Sequence, residues 1–232
     1  MTLTVGSVCS GIGGIDLGLE RSGMKTVWQV EIKPFQHLLL NIRFPNAKQY
    51  RDITKLDTAI MENVDLLCGG IPCQPFSLAG RRLGLNDPRY LWPYFLELIR
   101  DFRPRWVMVE NVPGILSSGA LEIILSDLAE LRYDAEWASI PAFTFGFPHR
   151  RNRFFLIAYP NVQGLEGSIK PRIFNTKFNQ VAVRWRRLSK SDTVRRTYGI
   201  PNYMDRIIGL GNAVVSDITE EIGKRIIIAD EV

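Results

Sequence analysis

The sequence has no long apolar run and only a few cysteines. No stretch approaches the roughly 18 consecutive apolar residues of a membrane-spanning helix. The first residues, MTLTVGSVCSG, do not combine a basic segment with a long apolar one, as secretion signals do. The three cysteines Cys9, Cys68 and Cys73 are odd in number and lie in apolar or glycine-rich settings, which argues against a disulfide framework. We therefore expect a cytoplasmic protein that does not associate with a membrane.

Acidic residues are scarce in one segment. Between His149 and Tyr198 the chain has 12 Lys or Arg residues and only two acidic ones, so this segment carries a formal charge of +10, whereas the whole chain carries +5. A basic block beside an acidic body is typical of proteins that bind a polyanion, because each neutralised phosphate releases counterions. A solvated charged surface explains the same pattern.

Apolar residues are plentiful, at 46% of 232 residues, which suffices for one large domain or for one domain with a small lobe. Strands are predicted at residues 3–8, 26–32, 64–68, 106–109 and 153–159, and helices at 15–21, 34–43, 92–101 and 214–226, with a short third segment ending near residue 52. This order predicts an α/β fold with a mainly parallel sheet, whose carboxyl edge binds the ligand.

A glycine-rich loop follows the first predicted strand. Residues 9–14 (CSGIGG) contain three glycines, and Glu31 lies at the end of the second predicted strand, 20 residues after Gly11. Glycines let the backbone approach a ligand closely, and a carboxylate at the end of the second strand can bond both hydroxyls of a ribose. The pattern therefore indicates a nucleoside site. A structural turn explains it equally well, because the glycine spacing is not the full dinucleotide pattern.

A cysteine lies between two prolines just after a predicted buried strand, in residues 69–77 (GGIPCQPFS). A thiolate is the reactive form of cysteine, and prolines stiffen a loop that must present sulfur to a substrate. We therefore interpret Cys73 as a nucleophile. Cys9 and Cys68 stand next to apolar strand residues and are predicted to fill the core.

Three further segments contain polar candidates for the site. Glu110 begins the segment ENV, and a carboxylate beside the cysteine loop could exchange a proton with a heteroaromatic ring while sulfur attacks it. The alternative is a helix N-cap before the turn at residues 113–114. Arg151 and Arg153 share one face of their strand and could hold a phosphate or shape the pocket, whereas a solvated basic strand edge is the competing interpretation. Asn212, in the segment GLGNAV, could cap a helix or steady a neighbouring loop.

These motifs, in this order, resemble the cytosine-5 DNA methyltransferase family, and the similarity covers nearly the whole chain apart from about residues 160–197. The loop G-G-x-P-C-Q-P-F-S and the segment E-N-V are its most specific motifs, and residues 199–215 look like phage and prophage members in particular. The resemblance implies a Rossmann-like α/β sheet with helices on both faces, S-adenosyl-L-methionine as the cofactor and no metal. It also implies a catalytic and cofactor-binding domain at 1–158, a short target-recognition region at 159–200, and a C-terminal helix within 201–232 that packs back on the first domain.

The resemblance also implies the residues of the site. The expected cofactor residues are Ser10, Gly11, Ile12, Gly13, Gly14, Glu31, Asp52, Ile53, Pro72, Asn212 and Ala213. Glu31 would bond the ribose, Asp52 the adenine amino group, and Asn212 would brace the cysteine loop.

In the mechanism that the resemblance implies, Cys73 adds to C6 of a cytosine flipped out of the duplex, while Glu110 engages N3 and the exocyclic amine. Carbon 5 then takes the methyl group from the sulfonium, and loss of the C5 proton with expulsion of sulfur restores the ring. Arg151 and Arg153 would secure the flipped nucleotide.

Three positions depart from the family pattern. Cys9 stands where an aromatic ring usually stacks on adenine, Ile32 where a bulkier ring is frequent, and His149 where glutamine is usual. The recognition region is also short, so few side chains can read base edges and we expect a short or loosely specified target sequence. We expect a monomer that acts on double-stranded DNA, with a cognate restriction endonuclease as a candidate partner. Cytosine in transfer RNA is the alternative substrate, and a DNA-binding regulatory relative with weak catalysis is the alternative class.

Overall fold

The computed structural model describes residues 1–72, 90–147, 151–161, 172–174 and 214–231. The predicted site residues Cys73, Asn212 and Ala213 lie outside the described residues, as do His149 and most of the predicted recognition region. The strands are β1 (Thr4–Val8), β2 (Lys25–Val30), β3 (Lys48–Tyr50), β4 (Leu66–Gly70), β5 (Trp106–Asn111), β6 (Tyr133–Pro141) and β7 (Asn152–Pro160). The α-helices are α1 (Gly14–Ser22), α2 (Pro34–Arg43), α3 (Trp92–Phe102), α4 (Ala120–Glu130) and α5 (Ser216–Asp230). Short 3-10 helices occur at Ile53–Lys55, Thr58–Ile60, Pro113–Ser117 and Ala142–Phe145.

The strands form one seven-stranded sheet in the order β3-β2-β1-β4-β5-β7-β6. β1 to β5 run parallel, and β7 is antiparallel to both of its neighbours. The chain builds the sheet outward from β1 to β3 and then returns to place β4 on the other side of β1. This reversal opens a crevice at the carboxyl ends of β1 and β4, where open α/β sheets bind ligands.

The helices and strands predicted from the sequence are confirmed, with small differences at their ends. The second strand ends at Val30 rather than at Ile32, because its last residue paired with β1 is Val30, opposite Val8. The fourth strand extends to Gly70, because Gly70 still pairs with Glu110 of β5. Two elements were not predicted, namely α4 and β6. None of the helices within the described ranges is both long and apolar enough to cross a membrane.

Strand β7 shows how the core divides between the two faces of the sheet. Phe154 and Leu156 pack in the cluster that contains the inward faces of α3 and α4, whereas Phe155 and Ile157 pack in the cluster that contains those of α1 and α5. Alternate residues of a strand point to opposite faces, so an apolar run such as FFLIA requires cover on both sides. The sheet therefore has helices on both faces, as expected.

Helix α5 packs against α1 through small residues. A Cβ atom at Gly18 would collide with the Thr219 hydroxyl, so the two helices approach more closely than larger side chains would allow. The same hydroxyl lies 3.5 Å from the carbonyl oxygen of Gly14 and donates a hydrogen bond to it. This contact holds Val214 beside the start of α1, where a Cβ at Gly14 would be 2.9 Å from the Val214 carbonyl oxygen.

Candidate active site and cofactor cavity

A cavity of about 690 Å³ lies at the carboxyl ends of β1, β2, β4 and β5. The predicted site residues that line it are Ser10, Gly11, Ile12, Gly14, Glu31, Asp52, Ile53, Pro72, Glu110 and Arg153. Gly13 and Arg151 do not line it. The structure therefore places the glycine loop, the two carboxylates that follow β2 and β3, and the carboxylate at the end of β5 around one space.

The loop after β1 requires glycine at two positions. The backbone φ is +59° at Gly11 and +78° at Gly13, in the left-handed region that side chains disfavour. A Cβ at Gly13 would also collide with the ring of Phe44. The loop is thus a structural turn, as one of the two sequence interpretations holds, and Gly11 and Gly14 also line the cavity. That the loop approaches a nucleoside stays a prediction.

Glu31 is held by backbone N–H groups. Its Oε2 accepts a hydrogen bond from the Gly11 N–H at 2.8 Å, and its Oε1 accepts one from the Lys33 N–H at 2.9 Å. The carboxylate therefore joins the glycine loop to the start of α2. Each oxygen retains a second lone pair, so the group is oriented in advance and can still accept hydrogen bonds from hydroxyl groups in the cavity.

A buried polar network supports the glycine loop from below. The hydroxyl oxygens of Ser7 and Ser10 are 2.9 Å apart, the Gln29 amide donates to Asp16 at 2.7 Å, and the Gln49 amide donates to Gln29 at 2.8 Å. Burial raises the pKa of Asp16 to about 6, and the hydrogen bond from Gln29 opposes that rise. The network connects the base of the loop and the first turn of α1 to β2 and β3.

Cys9 lies on the cavity wall, so the prediction that it fills the core is wrong; Cys68, in β4, is buried as predicted. The backbone φ at Cys9 is 51°, a conformation that costs a residue other than glycine on the order of 1–3 kcal/mol. Burial, followed by the negative charge of Glu31, raises the pKa of the Cys9 thiol to about 12. Cys9 is therefore a neutral, unreactive thiol in this site.

Asp52 begins the short 3-10 helix Ile53–Lys55. Its Oδ1 accepts hydrogen bonds from the Thr54 N–H at 3.0 Å and from the Thr54 hydroxyl at 2.8 Å, and these bonds lower the pKa of Asp52. Its Oδ2 is 3.7 Å from the Lys55 ammonium group. Oδ1 thus fixes the side chain on the rim of the cavity, next to the buried Ile53.

Glu110 and Arg153 form an ion pair on the opposite wall. Arg153 Nε lies 3.0 Å from Glu110 Oε1, and the two side chains are only 18% and 11% exposed, so the interpretation of Arg153 as a solvated strand edge is wrong. Burial raises the pKa of Glu110 to about 7, although the positive charges of Arg153 and Arg151 lower it. Glu110 is not a helix N-cap, because it belongs to β5 and Val112 precedes the following 3-10 helix.

Asn111 anchors the start of the cysteine loop, a role that was not predicted from the sequence. Its side-chain amide donates to the Ile71 carbonyl oxygen at 2.8 Å, and its own Oδ1 accepts from the Val112 N–H at 2.7 Å. Gly70 leaves room for the neighbouring carboxylate, because a Cβ there would be 3.1 Å from Glu110 Oε2. The last described residues before Cys73 are therefore fixed beside Glu110. The sequence signal that could have indicated this role is the position of Asn111 in the segment ENV, directly after Glu110.

The sheet order and the cavity define a Rossmann-like methyltransferase fold, and solved methyltransferases share it. A DNA modification methyltransferase encoded within an E. coli prophage has a TM-score of 0.62 and 28% identity, over 75% of this chain and 50% of that one. A mutant DNMT2 of Spodoptera frugiperda has a TM-score of 0.60 and 26% identity, over 73% of this chain and 53% of that one.

Sequence comparison identifies the family. Residues 3–206 match the C-5 cytosine-specific DNA methylases. The Type II methyltransferase M.NgoMIV of Neisseria gonorrhoeae is 34% identical over 69% of this chain and 53% of that protein, and M.MspI of Moraxella sp is 34% identical over 66% of this chain and 37% of that protein. The chain therefore belongs to the C-5 cytosine-specific DNA methylase family, and it spans about half or less of the length of these relatives.

Proposed function

We propose that this chain is a DNA (cytosine-5)-methyltransferase that uses S-adenosyl-L-methionine. The observation that carries the proposal is the position of Glu110, whose buried carboxyl group pairs with Arg153 on the wall of the cavity that Glu31 and the glycine loop also line. One space thus combines side chains suited to a nucleoside with an acid whose pKa is near neutrality. This combination suits a reaction in which a nucleoside cofactor and a heteroaromatic ring meet.

The residues present fit the cofactor. A cavity of about 690 Å³ is within the range of roughly 300–1,000 Å³ that small-molecule sites occupy. Glu31 is assigned to the ribose hydroxyls and Asp52 to the adenine amino group, with Ile53 and Pro72 beside them. Asn212 and Ala213, outside the described residues, are assigned to the same site. When bound, the cofactor supplies a methyl group on an electrophilic sulfonium.

Cys73 is the nucleophile of this proposal. Its sulfur forms a bond to C6 of the cytosine, the electron pair of the 5,6 double bond is delocalised towards C5 and N3, and N3 takes a proton from Glu110. A carboxyl group with a pKa of about 7 is partly protonated at neutral pH and can therefore donate that proton. After methylation, removal of the C5 proton and cleavage of the C6–S bond restore the ring and free the cysteine.

Arg153 holds the acid in place for this chemistry. Its guanidinium fixes one Glu110 oxygen at 3.0 Å, which leaves the other oxygen free to face the ring. Arg151 adds a second positive charge near the same carboxyl group. We assign both arginines to securing an extruded nucleotide, because the ring can be attacked only outside the base stack.

The polyanion that this proposal requires is double-stranded DNA. The +10 charge between His149 and Tyr198 supports it. We propose that residues 159–200 form the short recognition region, between a catalytic domain at 1–158 and a C-terminal helix within 201–232. We further propose a cytoplasmic monomer that protects sites from a cognate restriction endonuclease.

Transfer of a radiolabelled methyl group to duplex DNA tests the function. Wild type should incorporate label, Cys73→Ala should not, and Cys68→Ala, which removes a core cysteine outside the cavity, should retain activity. Equal incorporation by wild type and Cys73→Ala would refute the nucleophile. Transfer RNA assayed in parallel decides the substrate, since labelling of RNA without labelling of DNA would overturn the assignment. Bisulfite sequencing of the methylated DNA then gives the target sequence, and a strict six-base-pair site would contradict a short one.

A further inference from the structure

Gln36 places a side-chain amide on the cavity wall. The residue is 3% exposed, it lines the cavity, and it shares the inward face of α2 with the fully buried Leu40. Within the part of the chain that the structure describes, its side chain has no hydrogen-bond partner. An amide on a cavity wall that no described protein group engages keeps both its N–H donors and its carbonyl oxygen available to a ligand.

The local structure explains why this amide is available. Lys33 is the N-cap of α2, so Gln36 is the third helical residue, where a glutamine side chain commonly turns back to accept from the N-cap N–H. Here the Lys33 N–H instead donates to Glu31 Oε1 at 2.9 Å. Glu31 thus takes the position that Gln36 would otherwise fill, and the two side chains belong to the same corner of the cavity.

The two side chains complement each other chemically. An ionised Glu31 only accepts hydrogen bonds, whereas an amide has two N–H donors and an acceptor oxygen. A ribose hydroxyl that donates to Glu31 still has lone pairs that need a donor. We propose that Gln36 is a further cofactor-binding residue, whose side-chain N–H donates to a ribose hydroxyl that donates in turn to Glu31. This inference rests on the proposed function, because that function supplies the ribose.

Isothermal titration calorimetry with S-adenosylhomocysteine tests this assignment. Gln36→Met removes the amide at nearly constant volume and should weaken binding about tenfold, as expected for one buried hydrogen bond. Asn41→Leu is the matched control, because it removes an exposed amide from the same helix whose bond to the His37 carbonyl lies within that helix. It should bind like wild type. Gln36→Ala provides a second variant, and thermal melting checks that each protein is folded.

The 2′-deoxy and 3′-deoxy forms of the ligand identify the hydroxyl. If Gln36 donates to one of these two hydroxyls, removal of that hydroxyl should weaken binding to wild type. The fold-loss of affinity for the same change should be at least about threefold smaller in Gln36→Met. A purely structural role would not produce this dependence on the ligand. Binding by both Gln36 variants within twofold of wild type, or equal losses in wild type and Gln36→Met with both deoxy ligands, would overturn the assignment of Gln36 alone. Failure of wild type to bind S-adenosylhomocysteine would instead overturn the proposed function, and the inference with it.

Discussion

Replacing Glu110 by Gln is expected to remove one pH-dependent component of stability. Burial raises the pKa of Glu110 from 4.5 to about 7, against the opposing charges of Arg153 and Arg151. A carboxyl group whose pKa is higher in the folded than in the unfolded protein stabilises the fold while it is protonated. That contribution is complete below pH 4.5 and is lost as the pH rises through about 7. Between about pH 5.5 and about pH 8.5 the loss amounts to about 2 kcal/mol.

Urea-induced unfolding of wild type and Glu110→Gln across this pH range measures the effect. The unfolding free energy of the variant, relative to that of wild type, should increase by about 2 kcal/mol from the acidic to the alkaline limit. Glu122, an exposed residue of α4, provides the matched control for loss of a carboxylate, and Glu122→Gln should change the unfolding free energy by no more than about 0.5 kcal/mol. A difference between Glu110→Gln and wild type that stays constant with pH would refute the reasoning.

The remaining predictions concern the cysteine loop, the helix pair and the cavity thiol. Asn111→Leu should lower the kcat of methyl transfer at least about tenfold while the cofactor Kd stays unchanged, because the carbonyl before the cysteine loop loses its anchor; an unchanged kcat in steady-state assays would contradict this. Gly18→Val should lower the unfolding free energy by about 3 kcal/mol, because the new side chain displaces α5. Gly114→Ala, whose Cβ would meet a single atom at 4.0 Å, should melt like wild type, and equal melting of the two variants would show that the helix contact is unimportant. In a Cys73→Ala background at about pH 8, Cys9 should react with iodoacetamide very slowly, because about one thiol in ten thousand is ionised; rapid labelling in mass spectrometry would disprove the raised pKa.

The sequence was sufficient for elements whose signals are local. The glycines after β1 and Pro34 in the first turn of α2 act within a few residues of their own position, so the turn and the helix start could be predicted. Strand β6 could not, because it is an edge strand with a mixed burial pattern, in which Trp137 is 44% exposed. What defines it is antiparallel pairing with β7, which is a tertiary contact.

The residues of the candidate site could likewise be predicted only in part. Glu31 and Glu110 could be proposed because a carboxylate at the carboxyl end of a strand is visible in the sequence. The groups that orient them could not be predicted, since Glu31 accepts from the Gly11 N–H and Glu110 pairs with Arg153 of the neighbouring strand β7. The position of Cys9 in the sequence also could not show that it faces the cavity. A strand residue is expected to point into the core, but Cys9 has a φ of 51° and its side chain takes another direction.

The docking of α5 on α1 has a consequence for protein synthesis. The hydrogen bond from Thr219 to Gly14 joins residues 205 positions apart, and Gly14 is the first residue of α1, the helix that follows the glycine-rich loop. At roughly 5–20 residues per second, a ribosome needs about 10 to 40 s to translate that interval. During this time the glycine loop has already emerged, but Val214, which lines the cavity, has not been made. Nascent and prematurely terminated chains therefore lack part of the cavity wall, which is complete only once α5 has been translated.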